Sequence, residues 1–519
     1  MEIILILCLL LGIIFILPIL TLGLDLKNRF WKKTIDKALE HDDLIILVNN
    51  FCNSTEKTGI CFGFTLTWVL AVLMHNELLF YRRLDLIRKQ GENLIDEVEN
   101  INQKIRKKKT ITEEEYRIAE LRPFSQSIRF AQDPEKFEEF YAEHINQVNV
   151  NQILRLIANT PANAIFTKTV TFSSKQQTRD YFRQLHQLLR TNHSIAMKLS
   201  DERHSIGLKR YRKVWLCIDI NTLYKQSSNY PYFILGDRKL SRLLYKNFEE
   251  NNQLIFTTHF FTNNHSQALK KQLQSLDSLY PVLPEHLTYC NARKISFLNV
   301  CLVNGDEASA LRILKLDKQF NLLHKKHIKI AVHQSIFLNQ QTILAKLLKK
   351  KGFDINTPCS PSGLTTPLGI ACKGGYLHLV QFLLSRSGIL INVVNNYGDT
   401  PLMKACKSRH TKENKELFRV LLRAGASLKP RNAKGKNALS IAKSENNQSA
   451  IHVINKFRRT KKISNTANPK IAQPTGRTSA KKIASQGTSL KYSMFAPKKE
   501  WNIDGNKGSV LGTFSLVGS

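Results

Sequence analysis

The chain has 519 residues, of which 42% are hydrophobic and 9% aromatic, which is enough apolar side chains for about two to four packed domains. This composition excludes a wholly disordered chain. With 77 Lys and Arg against 41 Asp and Glu, the net charge of +36 predicts an anionic binding partner, either nucleic acid or the anionic face of a membrane. Nine cysteines without CxxC pairs indicate neither a disulfide framework nor a zinc cluster, so we expect free thiols, no metal and no cofactor.

The chain opens with an uncharged apolar stretch from Ile3 to Leu24. As a helix it would be roughly 33 Å long, about the thickness of a bilayer core. Four basic residues follow between positions 27 and 33. The positive-inside rule therefore predicts a single transmembrane helix over 1–24, with a membrane-associated chain whose bulk is cytoplasmic. The alternatives are an apolar helix that packs on a domain and a true start site further downstream.

Residues 25–285 mix helical and strand-like patterns and predict one α+β domain. Apolar residues at three- and four-residue spacing indicate helices over 83–120, 151–158 and 176–190. A largely apolar run predicts a further, buried helix over 62–75. Short β-branched and aromatic runs indicate four strands, over 194–199, 204–211, 214–221 and 253–261.

A repeat begins in the second half of the chain. The segment Thr366-Pro-Leu-Gly-Ile-Ala-Cys372 recurs 34 residues later, from Thr400 to Cys406, and a weaker copy starts at Asn437. This pattern resembles the ankyrin repeat, with its period of about 33 residues and its TPLxxA signature. The resemblance implies an all-α solenoid of about four or five units over 290–457, clearest at 363–457, that binds a protein partner on its concave face.

After Phe457 the composition shifts to Lys, Ser, Thr, Gln and Gly, which predicts a disordered basic tail over 458–519. Its basic clusters, at 458–462 and 481–482, are typical of nuclear-import or phosphate-binding patches, and equally of solvated charge.

Cys61 is the first candidate for chemistry, because it immediately precedes the buried helix predicted over 62–75. At a helix N-terminus the unpaired amides and the helix dipole favour the thiolate, which is the nucleophilic form of cysteine. The alternative interpretation is a small apolar residue of the core.

His204 and Asp219 are the candidate partners of Cys61. The strand-like runs 204–211 and 214–221 predict a hairpin about Tyr211 and Arg212, in which His204 lies directly opposite Asp219. Two further pairs of that register would form an apolar face on the Cys61 helix: Ile206 with Cys217, and Leu208 with Trp215. An imidazole between a thiol and a carboxylate is the arrangement that activates a cysteine nucleophile.

Three other residues compete for roles in this site. His193 is a rival base, although no simple hairpin joins it to Asp219. His75 lies almost four turns along the helix from Cys61, which is out of reach. The amide of Cys61 supplies one oxyanion donor, and Asn53 is a candidate for the second.

These residues together resemble the papain-like cysteine proteases of the YopT and AvrPphB type over roughly residues 45–265. Two motifs carry the resemblance. The first is Gly59, Cys61, Gly63 and Trp68, and the second is His204, Ile206, Asp219 and Asn221, with Ile220 where the family has Pro. The resemblance implies a papain-like domain in which Cys61 is the nucleophile, His204 the base and Asp219 the acid that orients it.

The combination of both regions is similar to ankyrin-containing effectors that intracellular bacteria secrete into host cells. It implies a cysteine protease that acts on a host protein recruited by the ankyrin repeats. A catalytically inactive adaptor, which binds proteins through the repeats alone, is the main alternative. A nucleic-acid binder is a third, but it rests on net charge alone and predicts no sequence preference.

Overall fold

The computed structural model describes residues 39–466, with gaps at 53, 55–58, 92, 141–144, 159, 191–194, 249–252, 265–266, 351 and 361–363. The predicted transmembrane stretch, Ile3 to Leu24, lies outside the described residues. Within them, every helix is too short or too polar to cross a bilayer. The predicted membrane localisation is therefore wrong for the described residues.

A layer of helices begins the described chain and surrounds one that has no polar face. Its members are α1 (His41–Phe51), α2 (Cys61–Leu73), α3 (Glu77–Gln90), α4 (Asn93–Arg106), α5 (Glu113–Ala119), α6 (Leu121–Gln132) and α7 (Val150–Ala158). All thirteen residues of α2 are buried, because its sequence is apolar or small on every side. The helix predicted over 83–120 is three helices instead, since Gly91 ends α3 at a φ of +59° and Thr112 caps a new start at α5.

Six antiparallel strands form a sheet against this layer, in the order β1-β6-β2-β3-β4-β5. The strands and their helices are β1 (Asn163–Phe172), α8 (Lys175–Leu188), β2 (Ala196–Ser200), β3 (Ser205–Tyr211), β4 (Val214–Ile218), β5 (Phe233–Leu235), α9 (Asp237–Asn247), β6 (Leu254–Thr262), α10 (Gln267–Gln274) and α11 (Leu276–Leu279). One face of the sheet packs on α2, and α8 and α9 cover the other. Four of the strands were predicted, whereas β1 and β5 were not.

Paired helices complete the described chain as a stack that we call the helical array, residues 297–466. Its members are α12 (Phe297–Val303), α13 (Glu307–Phe320), α14 (Lys325–Phe337), α15 (Gln341–Leu347), α16 (Pro367–Gly374), α17 (Leu377–Leu384), α18 (Pro401–Lys407), α19 (Lys415–Arg423), α20 (Ala438–Ser444) and α21 (Gln448–Thr466). The even-numbered helices from α12 to α20 pack side by side and are called the inner helices. The hydroxyls of Thr366 and Thr400 cap α16 and α18, and a proline follows each at the first helical position.

The last helix enters the segment predicted as a disordered tail. Because α21 continues to Thr466, the basic cluster at 458–462 is helical. Residues 467–519 lie outside the described residues.

Polar contacts join the sheet to the helical array, on either side of the boundary at residues 285–290. The amide of Thr169 donates to Asp306 Oδ2 at 2.6 Å, and His259 Nε2 donates to the carbonyl oxygen of Asn304 at 2.7 Å. The four residues are buried. The sheet and the array therefore share one polar interface rather than a solvated linker.

Candidate active site

Cys61 is the first residue of α2, at the helix start that the sequence predicted for it. The residue is 9% exposed, and Sγ donates to the carbonyl oxygen of Arg203 at 3.3 Å. The hydroxyl of Thr65, one turn further along, donates to the carbonyl of Ser205 at 2.9 Å. These two bonds fix the start of α2 against the segment that leads into β3.

Glycine is required two residues after Cys61. A Cβ atom on Gly63 would lie 2.0 Å from the carbonyl oxygen of Ile128 and 2.8 Å from the amide nitrogen of Gln132, both in the backbone of α6. The absent side chain lets α2 and α6 pack backbone to backbone. The position of Cys61 is therefore set by this close helix crossing.

His204 and Asp219 come together, but not through the register that was predicted. Nε2 of His204 lies 2.9 Å from Oδ1 of Asp219. His204 precedes β3 and Asp219 follows β4, and the strands pair with Leu208 opposite Cys217. The turn is formed by Arg212 and Lys213, so each strand residue lies opposite a partner two positions further along the chain than predicted.

The predicted packing face of the hairpin is also wrong. The four apolar residues of that face pack towards α8 and α9, on the side of the sheet away from α2: Ile206, Leu208, Trp215 and Cys217. The face towards α2 carries Gly207 and Ile218, and Trp68 of α2 fills the space beside Gly207. His204 reaches the α2 side because it stands in the turn before β3, where strand alternation does not apply.

The carboxylate of Asp219 is held on several sides. Its side chain is fully buried, Oδ1 also accepts the amide of Asn221 at 2.9 Å, and Oδ2 accepts the side-chain amide of Asn247 at 2.5 Å. A carboxylate fixed in this way sets the orientation of the imidazole that it contacts. With Nε2 of His204 on Asp219, Nδ1 is the ring nitrogen left for the thiol.

The surroundings of His204 favour its protonated form. Burial lowers the pKa of His204, but hydrogen bonds and charge interactions with Asp219 and Cys61 outweigh burial and raise it to about 10. The imidazole therefore forms a proton-bearing link between the thiol and the carboxylate.

Two of the predicted competitors fall outside the described residues: His193 and Asn53. His75 lies just beyond the far end of α2, which agrees with the prediction that it is out of reach. The second oxyanion donor stays unassigned.

Two residues near the site were missed from the sequence. Charges on His204 and Asp219 act on His41, the first residue of α1, whose pKa is lowered mainly by burial. Lys198 on β2 is fully buried, with Nζ 2.7 Å from Ser200 Oγ; burial lowers its pKa to about 7, and Cys61 opposes that shift. Strand alternation could have assigned Lys198 to the α2 side of the sheet, but no local signal marks His41.

The part of the chain that the structure describes holds no group of three or more His, Cys, Asp or Glu side chains placed to bind a metal.

A family model described as ankyrin repeats, in three copies, matches residues 330–432 and 368–465. The C-terminal region therefore contains ankyrin repeats, which generally mediate protein–protein interactions. A search of curated proteins found no match. Neither comparison supports a papain-like protease domain, a bacterial origin or an effector role.

Proposed function

We propose that Cys61, His204 and Asp219 form a thiol acyl-transfer site, in a papain-like domain, that hydrolyses an amide bond of a protein bound by the ankyrin repeats. The observation that carries this proposal is the chain of contacts from the helix-terminal thiol through His204 to the buried carboxylate. A core cysteine needs neither a histidine nor a carboxylate beside it.

The arrangement supports a two-step reaction. Cys61 Sγ attacks the carbonyl carbon, the C–N bond breaks, and the imidazolium of His204 gives its proton to the leaving amine. Water then attacks the thioester carbon while neutral His204 accepts a proton from it, the C–S bond breaks, and release of the acid restores the thiolate–imidazolium pair. The amide of Cys61, which has no partner within α2 at this first position, is placed to donate to the developing oxyanion.

The charge of the array indicates the chemistry of its partner. Residues 325–466 contain 26 Lys and Arg against 5 Asp and Glu, so this segment carries +21 of the total +36. The inner helices contain seven lysines and no carboxylate. Burial and the nearby charges of Lys373 and Lys407 lower the pKa of Lys404, which places like charges close together. We therefore propose that the bound protein presents an acidic segment.

Reversing charge on the inner helices should weaken binding of a short Glu-rich peptide that carries Leu and Phe. We expect the triple change of Lys329, Lys373 and Lys443 to Glu to raise Kd at least about tenfold, and more at low salt. Fluorescence anisotropy of the labelled peptide measures this Kd. The matched control replaces three exposed lysines of the outer helices by Glu and should change Kd less than about threefold: Lys346, Lys415 and Lys456.

Equal losses for the two triple variants would contradict an acidic binding face on the inner helices. Tighter binding of duplex DNA, with the same dependence on the inner lysines, would assign the surface to nucleic acid instead.

A non-catalytic adaptor is the second candidate function. The observation in its favour is the low exposure of the site, since Cys61 is 9% exposed and the His204 side chain 12%. In an adaptor the contacts of Cys61 would serve only to hold the fold.

The pH profile of Cys61 alkylation by iodoacetamide separates the two candidates. For a thiolate–imidazolium pair we expect fast alkylation that changes little from about pH 6 to 8, whereas an ordinary thiol reacts faster as pH approaches about 8.5. Mass spectrometry of each cysteine supplies the rates. Cys52 is an internal control, because burial raises its pKa to about 12. A Cys61 rate as slow as that of Cys52 throughout would reject the hydrolase and leave the adaptor.

A further inference from the structure

The turn between β2 and β3 controls the position of both reacting groups. Oδ1 of Asp201 accepts the amides of Arg203 and His204, each at 2.7 Å, and the carbonyl of Arg203 accepts the Cys61 thiol. Asp201 is 4% exposed, so its carboxylate is committed to this turn. A change in the orientation of Asp201 would move the backbone of His204 and the acceptor of Cys61 together.

Three side chains from residues 291–304 bind the acidic side chains and a backbone carbonyl of this turn. Arg293 bridges Oδ2 of Asp201 and Oε1 of Glu202, the latter at 2.5 Å from Nε. Asn291 donates to Oε2 of Glu202 at 2.8 Å, and Asn304 donates to the backbone carbonyl of Asp201 at 2.9 Å. Every one of these donors lies outside the 25–285 segment that carries the reacting side chains.

Arg293 supplies the positive charge that faces the two acidic side chains of this turn. Burial and the neighbouring charge of Glu202 raise the pKa of Asp201, whereas the amides of Arg203 and His204 oppose that shift and Arg293 opposes it further. Without the guanidinium, two adjacent acidic side chains would face each other with little water to screen them. The turn would then either open to solvent or bind a proton at Asp201, and either change releases the amide of His204.

We propose that Arg293 is a positioning residue for the Cys61–His204 pair, so that the segment leading into the helical array completes the active site. The inference rests on the proposed function for its chemical consequence.

The test compares Arg293→Ala and Arg293→Lys in the full chain. For Arg293→Ala we expect alkylation of Cys61 near pH 6.5 to slow about tenfold, with its pH profile displaced towards that of an ordinary thiol, and hydrogen exchange of the 203–204 amides to accelerate about tenfold. Arg293→Lys keeps one of the two ion pairs, so we expect the alkylation rate of Cys61 to fall, and the exchange rate of the 203–204 amides to rise, by only about threefold. Lys350→Ala is the matched control, because it removes an ion pair with buried Asp317 that lies elsewhere in the array.

Unchanged exchange at 203–204 in Arg293→Ala would overturn the inference, whatever the reactivity of Cys61. Unchanged alkylation in that variant, beside His204-dependent reactivity in the wild type, would overturn it while leaving the proposed function in place. Equal effects of Lys350→Ala would show general destabilisation and would also overturn it. If wild-type Cys61 is unreactive, the proposed function fails and exchange alone decides the positioning role. Should Arg293→Ala not fold, Arg293→Lys decides alone: changes of about threefold in both measurements would support the inference, and no change in the exchange of the 203–204 amides would overturn it.

Discussion

Replacing His204 with alanine should slow alkylation of Cys61 near pH 6.5 by about 100-fold. The proposed role of His204 is to stabilise the thiolate as an imidazolium, and its neighbours raise the pKa of His204 to about 10, which keeps the proton on the ring in the neutral range. Without His204, the thiol must lose its proton to solvent, so the rate should rise with pH around the ordinary cysteine pKa of about 8.5. Asp219→Asn should cause a smaller loss, because the buried amide keeps a contact with the ring but not the charge.

The chain offers an internal comparison for this experiment. Cys290 Sγ lies 3.8 Å from Nε2 of His327, but burial and the charges of His324 and Lys326 lower the pKa of His327. Cys290 therefore has an imidazole beside it without the carboxylate that makes His204 a cation. A His204→Ala variant with wild-type reactivity at Cys61, or a Cys290 as reactive as Cys61, would contradict the proposed role of the His204–Asp219 pair.

Gly63→Ala should destabilise the fold by about 3 kcal/mol or more. The added methyl would lie 2.0 Å from the backbone oxygen of Ile128, and a backbone atom cannot move aside as a side chain can. The helices α2 and α6 would have to separate, which opens the most buried layer of the amino-terminal core. Urea unfolding followed by circular dichroism measures the difference.

Gly59→Ala is the matched control for that change. A Cβ atom at Gly59 would meet only His41, at 3.9 Å, which is an ordinary contact distance. We expect its unfolding free energy to change by less than about 0.5 kcal/mol. Equal stabilities of the two variants would mean that α2 and α6 do not pack as closely as described.

Residues whose roles depend on short stretches of chain were predicted well. The helix behind Cys61 follows from thirteen consecutive apolar or small residues, a pattern that only a fully buried helix or strand can accommodate. The repeats at Thr366 and Thr400 follow from a capping hydroxyl, a proline and a small alanine at fixed spacing, and the family match confirms them. The long helix over 83–120 was wrong because Gly91 was not weighed as a helix end.

The hairpin shows where local patterns stop being sufficient. Neither Gly nor Asn marks the turn at Arg212 and Lys213, so the sequence does not determine which residues pair. The prediction brought His204 to Asp219 by placing both in paired strands, whereas both lie just beyond the strand ends. The contact between His204 and Asp219 was predicted, but the position of both residues outside the paired strands was not.

Apart from the approach of Cys61 to His204, contacts between distant segments were not predicted from the sequence. The bridge from Arg293 to Asp201 spans 92 residues, and the pattern around neither residue differs from an ordinary surface turn. Lys198 was also missed, although strand alternation could have assigned it to the face of the sheet that α2 covers.

The polar interface between sheet and array has a consequence for how this protein could have arisen. Exchange of the array for another stack of repeats, by recombination near residue 290, would strip the amide of Thr169 and the imidazole of His259 of their partners. Each buried group left unsatisfied costs about 1–3 kcal/mol, a large share of the stability of a typical domain. We therefore expect the two halves to be inherited together, although the stability of a repeat stack is otherwise close to a sum over its units and their neighbours.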